Sequence, residues 1–386
     1  MNVHSQAGFL IFIETRLSQS SGMKHRFEIL DIFRGLFASM VVFFHMSGFS
    51  DTPVLNNQFI YNSDLFVDFF FVLSGFVITY THQRMSAASD MRLFYKKRFY
   101  RLYPLHVIML LLFAGIELTK HSLSGYITVN QLDNPNNNTL TFFSNLLLAH
   151  SVKLPGVTDV SWNIPSWSIS AEWIAYLLFG LTVWLMHRRN IYSARNYIYF
   201  GIAIGALVLL YGFTGGFQLT YSFDYGFLRA WIGFFTGAAC FNFFSSTRET
   251  TSRLPATLFH AAELILIAGM IVMVYNGDLL KPYGYVYELL FFCTVYIFSF
   301  EKGVVSAIMK RSGLLKKIGT YSYSIYMTHA LLLSLFNILF IRILKFAPSS
   351  YSYLFILNYI IIYLVSRWTY RHIELRFQLK KKKPTH

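Results

Sequence analysis

The sequence predicts an all-α protein, a polytopic bundle of about ten transmembrane helices with its N-terminus and C-terminus in the cytoplasm. Three observations predict it. Only 13% of the 386 residues are charged, against 55% hydrophobic and 19% aromatic; a soluble domain carries about 25% charged residues. Apolar runs of about 20 residues recur along the chain, each long enough to cross ~30 Å of hydrocarbon. Positive charge is distributed on alternate connections, as the orientation of a membrane bundle requires.

In chain order, the spans are expected near 28–48, 64–82, 101–119, 166–186, 196–213, 227–244, 257–275, 283–300, 321–344 and 351–370. The stretch "TLTFFSNLLLAH" at 139–150 is too short to span and reads as a re-entrant or interfacial piece. An eleventh, tilted span there is the competing topology. With the N-terminus inside, the inner segments hold 24 Lys and Arg and the outer segments four, and five more lie within spans. That imbalance matches the positive-inside rule. It also accounts for the net charge of +15 without nucleic acid as a partner, because basic loops face anionic lipid head groups. The run "KKKK" at 380–383 anchors and orients the last helix.

The organisation expected is a cytoplasmic segment 1–26, a transmembrane domain 27–371 and a basic cytoplasmic tail 372–386. "FLIFIE" near the start is too short for a signal-peptide core and lacks a basic leader and a small-residue cleavage site, so no cleaved signal is expected. Met23 offers an internal start that would make residues 1–22 dispensable. "NQLDNPNNN" within 120–138 reads as a flexible outer loop. No internal repeat, long linker or appended soluble domain is visible. Cys240 and Cys293 lie far apart in apolar spans with no metal or redox spacing, and read as packing residues.

Ionisable residues inside the spans are the informative ones, because a charge at mid-bilayer costs several kcal/mol on the order of insertion scales. Arg34 and His45 share the first span, 11 residues apart. That is about three helical turns, so both fall on one face, roughly 16 Å apart along the axis. Asp68 stands near the outer end of the second span, and Glu172, in "PSWSISAEWIAY", about two turns below the outer surface of the fourth. Arg98 and Arg101, in "KKRFYRLYP", mark the inner end of the third. The layout puts acid–base groups towards the outside and a cationic cluster towards the cytoplasm. Plainer readings stand beside these: Asp68 as a helix cap or the partner of a neighbour, the two arginines as boundary charges, and His45 as a satisfied core histidine. The abundant Phe and Tyr read as lipid contact and interface belts.

Five stretches in order resemble the acyltransferase-3 family of integral membrane acyltransferases. "RGLFASMVVFFH" supplies Arg34, ten intervening residues and His45; "VDFFFVLSGFVIT" supplies Asp68, Ser74 and Gly75. "RFYRLYPLH" supplies Arg98 and Arg101, and "NIPSWSISAEW" supplies Asn163, Trp167, Ser168 and Glu172. "YSYSIYMTHALL" supplies Tyr326 and His329. "TYRHIELRFQ" resembles the family's closing Glu-containing segment, with Leu375 where a proline is common.

The resemblance implies transfer of an acyl group, most often acetyl, from cytoplasmic acyl-CoA to a hydroxyl of an extracytoplasmic glycan or glycoside, in a bacterial inner membrane. No bound cofactor and no metal are implied; acyl-CoA, acetyl-CoA above all, is a co-substrate, and membrane lipid and the acceptor are the partners. Arginine suits the phosphates of coenzyme A because its planar fork donates two parallel hydrogen bonds, which assigns Arg34, Arg98 and Arg101 to the donor. A neutral imidazole at His45 takes the proton of the attacking hydroxyl, with Glu172 or Asp68 orienting it, or His45 carries the acyl group itself. Asn163, Ser168 and Tyr326 are candidate oxyanion donors. A proton-coupled transporter or flippase of a cell-envelope precursor is the alternative class, since it too buries His, Glu and Arg across many spans.

Overall fold

The computed structural model describes residues 26–123 and 134–378. The expectations for residues 1–22 and a start at Met23, for part of the 120–138 loop and for the lysines at 380–383 lie outside the described residues. Eleven helices of eight residues or more carry the architecture among the described residues. They are α1 (Glu28–Ser47), α2 (Phe66–Thr81), α3 (Ala88–Leu123), α4 (Thr139–Leu146), α5 (Trp167–Arg188), α6 (Arg195–Thr214), α7 (Gly226–Ser252), α8 (Ala256–Tyr275), α9 (Tyr285–Phe298), α10 (Gly313–Asn337) and α11 (Tyr351–Thr369).

Nine helices among the described residues are long and apolar enough to cross a membrane. The tenth span expected, 283–300, is the 14-residue α9, about 21 Å long and short of the hydrocarbon thickness. It stops early for a reason visible at its end. Glu301 takes a left-handed φ of 53°, and the turn lets its carboxylate accept the Ile29 N–H at 3.0 Å and the Lys310 ammonium at 2.9 Å. The short stretch at 139–150 is not an eleventh span. Asn138 and Thr141 form a reciprocal capping box that starts α4, which ends after eight residues.

Burial separates an inner set of helices from an outer one. The apolar window of α7 is 78% buried, whereas those of α6 and α8 are 22% buried. The outer helices present Ile204, Val208, Ile265 and Val272 on their exposed faces, an apolar surface suited to lipid. Inner helices approach through glycine. A Cβ on Gly75 of α2 would stand 1.8 Å from the Phe234 carbonyl oxygen, and one on Gly237 of α7 1.8 Å from the Val72 carbonyl oxygen. Gly35 of α1 meets Gly319 of α10 in the same way, at 2.4 Å from its backbone nitrogen. Without lipid-excluding pressure, such backbone contact is a main source of helix association in membranes.

Two buried carboxylates are paired or serve as caps. The fully buried Asp68 accepts two hydrogen bonds from Arg229 of α7, at 2.6 and 2.8 Å. Glu263 of α8 accepts the Gly303 and Ser306 N–H groups, both at 2.9 Å, and so caps the short helix Val304–Met309.

Candidate active site

A cavity opens between α1, α2, α3, α5 and α10, enclosing about 870 Å³ with its mouth included. One end is basic. Arg34 donates to Asp31 at 2.8 Å and to Ser322 at 3.0 Å. Arg101 donates to Glu374, which also accepts from Ser324 at 2.5 Å, and its guanidinium lies 5.4 Å from the centre of the Tyr323 ring. Arg98 lines the same wall, and its Nε has no hydrogen-bond partner. Of the three arginines, Arg98 is the one with a buried N–H that lacks a partner.

Beside Arg98, α2 and α5 bring Ser74, Glu172 and Tyr176 together. Glu172 accepts from Ser74 at 2.6 Å and from Tyr176, and Ser74 and Tyr176 lie 3.0 Å apart. Tyr176 follows Glu172 by one helical turn, the spacing at which side chains share a face. Across the cavity, Ser168 donates to the Tyr326 hydroxyl at 2.8 Å. The walls between these groups are apolar, from Phe70, Leu73, Val77 and Ile169. A mostly apolar chamber with a few convergent polar groups is the general form of a small-molecule site.

His45 does not line this cavity. Its Nδ1 lies 2.9 Å from the Val41 carbonyl oxygen and 3.3 Å from Nε2 of the buried His329. Tyr326 stands between the two regions, lining the cavity and packing on His329 with ring centres 5.8 Å apart. The ring of Phe70 packs edge-on against Tyr326 at 5.9 Å.

Two expected contacts are not formed. Glu172 is not the hydrogen-bond partner of His45, and neither is Asp68. The reason is helix adjacency: α1 lies against α10 at Gly35 and Gly319, so the polar group facing His45 comes from α10. Asp68 is committed to Arg229, whose guanidinium also lies 5.1 Å from the Trp167 ring centre. Asn163 donates to the Met327 carbonyl at 3.1 Å, leaving its own side-chain oxygen buried and unpaired. Gly75 serves the α2–α7 contact.

Tyr176, Arg229 and Glu374 were not among the expected site residues. Each left a trace: Tyr176 the one-turn spacing from Glu172, Arg229 a charge within an apolar span, Glu374 a place in the closing segment.

The chamber lies inside a bundle of helices long and apolar enough to cross a membrane, and arginines, a carboxylate and hydroxyl groups line it. Residues 27–368 match the family model described as an acyltransferase domain, and the chain belongs to the acyltransferase-3 family. It is 34% identical over 119 residues to acyltransferase MdmB of Streptomyces mycarofaciens, a match covering 30% of this chain and 27% of that one. No solved structure matches.

Proposed function

We propose that the protein transfers an acyl group, acetyl above all, from cytoplasmic acyl-CoA to a hydroxyl of an extracytoplasmic glycan or glycoside. The observation that carries this reading is a chamber whose wall carries three arginines beside a carboxylate and hydroxyl groups. Arg34, Arg98 and Arg101 line it together with Glu172, Ser168 and Tyr326, and Tyr326 also packs on His329, the neighbour of His45. An anionic donor fits the arginines. Its thioester then reaches the level of Glu172, Ser168 and Tyr326, while the acceptor hydroxyl comes to His45 from the opposite membrane face.

In the chemical step the hydroxyl oxygen bonds to the thioester carbonyl carbon as its proton passes to the bare nitrogen of His45. With Ser168 donating to its oxygen, the Tyr326 hydroxyl keeps its own proton to offer the developing oxyanion. Collapse breaks the carbon–sulfur bond, and the thiolate takes the proton from the imidazolium, giving ester and free CoA. The acyltransferase family membership supports the reaction class; the donor and acceptor are the proposal.

The test is release of free CoA by purified protein given acetyl-CoA and an oligosaccharide acceptor, with mass spectrometry of the acceptor for an added acetyl group. His45→Ala is expected to insert normally, since removing a polar group does not hinder a membrane helix, and to lose at least the ~10²–10⁴-fold contributed by a general base. Substantial turnover by His45→Ala would overturn the mechanism.

A further inference from the structure

We propose that His329 is the positioning residue of the reaction, holding the His45 ring and its proton so that only one nitrogen of His45 faces the acceptor. The inference rests on the reading of His45 as the base. It is carried by the hydrogen-bond partners of the two rings.

The partners place the protons in sequence. His329 Nδ1 lies 3.2 Å from the Ile325 carbonyl oxygen. A carbonyl only accepts, so Nδ1 of His329 carries the proton and, in the neutral ring, Nε2 is bare. That bare nitrogen lies 3.3 Å from Nδ1 of His45, which is itself 2.9 Å from the Val41 carbonyl oxygen. Both neighbours of His45 Nδ1 are acceptors, so Nδ1 is protonated and Nε2 of His45 is the basic nitrogen. No hydrogen bond among the described residues occupies His45 Nε2. The chain from the Ile325 carbonyl through His329 to His45 therefore ends in one free lone pair.

The Val41 carbonyl lies one turn back on the helix that carries His45, where it is also the ladder acceptor for the backbone N–H of residue 45. The nitrogen of His329 is a second acceptor from a separate helix. When the hydroxyl proton arrives on Nε2 of His45, the new imidazolium donates through Nδ1 to His329, which receives part of its charge in surroundings poor in water. In metal sites the outer partner of a ligating histidine, which fixes its tautomer and orientation, is worth about 10–100-fold, and a loss of the same order is expected here. His329 is fully buried, with 0% of its surface exposed, so it acts through His45 rather than on substrate.

The experiment compares His329→Leu with His329→Gln in purified, detergent-folded protein, reading kcat, the donor KM and the melting midpoint. Leu fills the space and offers no acceptor; Gln extends an amide oxygen to roughly the place of Nε2. His329→Leu is expected to lose about 10–100-fold in kcat with donor KM and melting midpoint unchanged, and His329→Gln to recover most of that loss. Wild-type kcat in His329→Leu, while His45→Ala is dead, overturns the positioning role and leaves the base intact. Equal losses in both variants, together with lowered melting midpoints, reduce His329 to a packing residue. An active His45→Ala removes the base and this inference with it.

Discussion

Arg98 and Arg101 lie one turn apart on α3, and what holds each differs. Arg101 is tied to Glu374, which is itself buried; Arg98 has a buried donor with no partner. On the proposed reading, removing Arg98 therefore removes an N–H left over to meet the donor's phosphates. Arg98→Ala is expected to raise the donor KM roughly tenfold to a hundredfold, the equivalent of a charge-assisted hydrogen bond of about 1.5–3 kcal/mol, with the melting midpoint unchanged. Removing Arg101 strands a buried carboxylate, a change that costs about 3–5 kcal/mol. Arg101→Ala should accordingly lower the melting midpoint, and the added change Glu374→Leu should restore it without restoring activity. Donor titrations and thermal unfolding of the three variants check this. Sequence reasoning weighed the two arginines alike, because the residue that distinguishes them lies 273 positions away on another helix. It named Arg34, Glu172 and His45 as candidates, since depth in a span follows from counting residues; Arg34 and Glu172 line the cavity. It missed the partner of His45, because which helix stands beside which is not written in any one span.

At the scale of helices, the inner bundle is set by contacts that leave no room for a side chain. Gly75 and Gly237 each place a would-be Cβ 1.8 Å from a carbonyl oxygen of the facing helix. Gly205 of α6, by contrast, has nothing within 4 Å. Alanine at both sites gains roughly 0.5–1 kcal/mol of helix propensity, but at Gly75 it must push two backbones apart, at about 1–3 kcal/mol or more. Opposite signs follow. Gly75→Ala should lower the melting midpoint in detergent, and Gly205→Ala should leave it unchanged or raise it. A Gly75→Ala protein as stable as wild type would show that α2 and α7 pack further apart. The motif containing Gly75 was legible in the sequence; its partner at Phe234 was not. Nor was the shortening of α9, since 283–300 reads as one apolar run and its end is decided by the tertiary contacts of Glu301.

For the whole molecule, the helical membrane fold was legible from composition and periodicity, because lipid imposes length and polarity on every span. Orientation is a separate matter, and the basic loops predict it. Lys310 and Lys316 cluster with the start of α1, paired to Glu301 and Glu28 at 2.9 Å each, and this end is expected in the cytoplasm. A membrane-impermeant maleimide applied to intact cells should label Asn57→Cys and leave Lys317→Cys untouched until the cells are opened; the reverse pattern would turn the proposed chamber the other way. The tie from Arg101 to Glu374 has one more consequence, for the order of events during synthesis. The π-helical segment Tyr370–Glu374 follows the last long helix, and it supplies the carboxylate that anchors an arginine made some 270 residues earlier. Until the ribosome has passed that segment, Arg101 is an unanswered charge in a half-built wall. On the proposed reading, the newborn protein completes its donor-binding wall only when its final turn docks, so a chain halted just short of residue 374 is expected to insert without holding Arg101 in place.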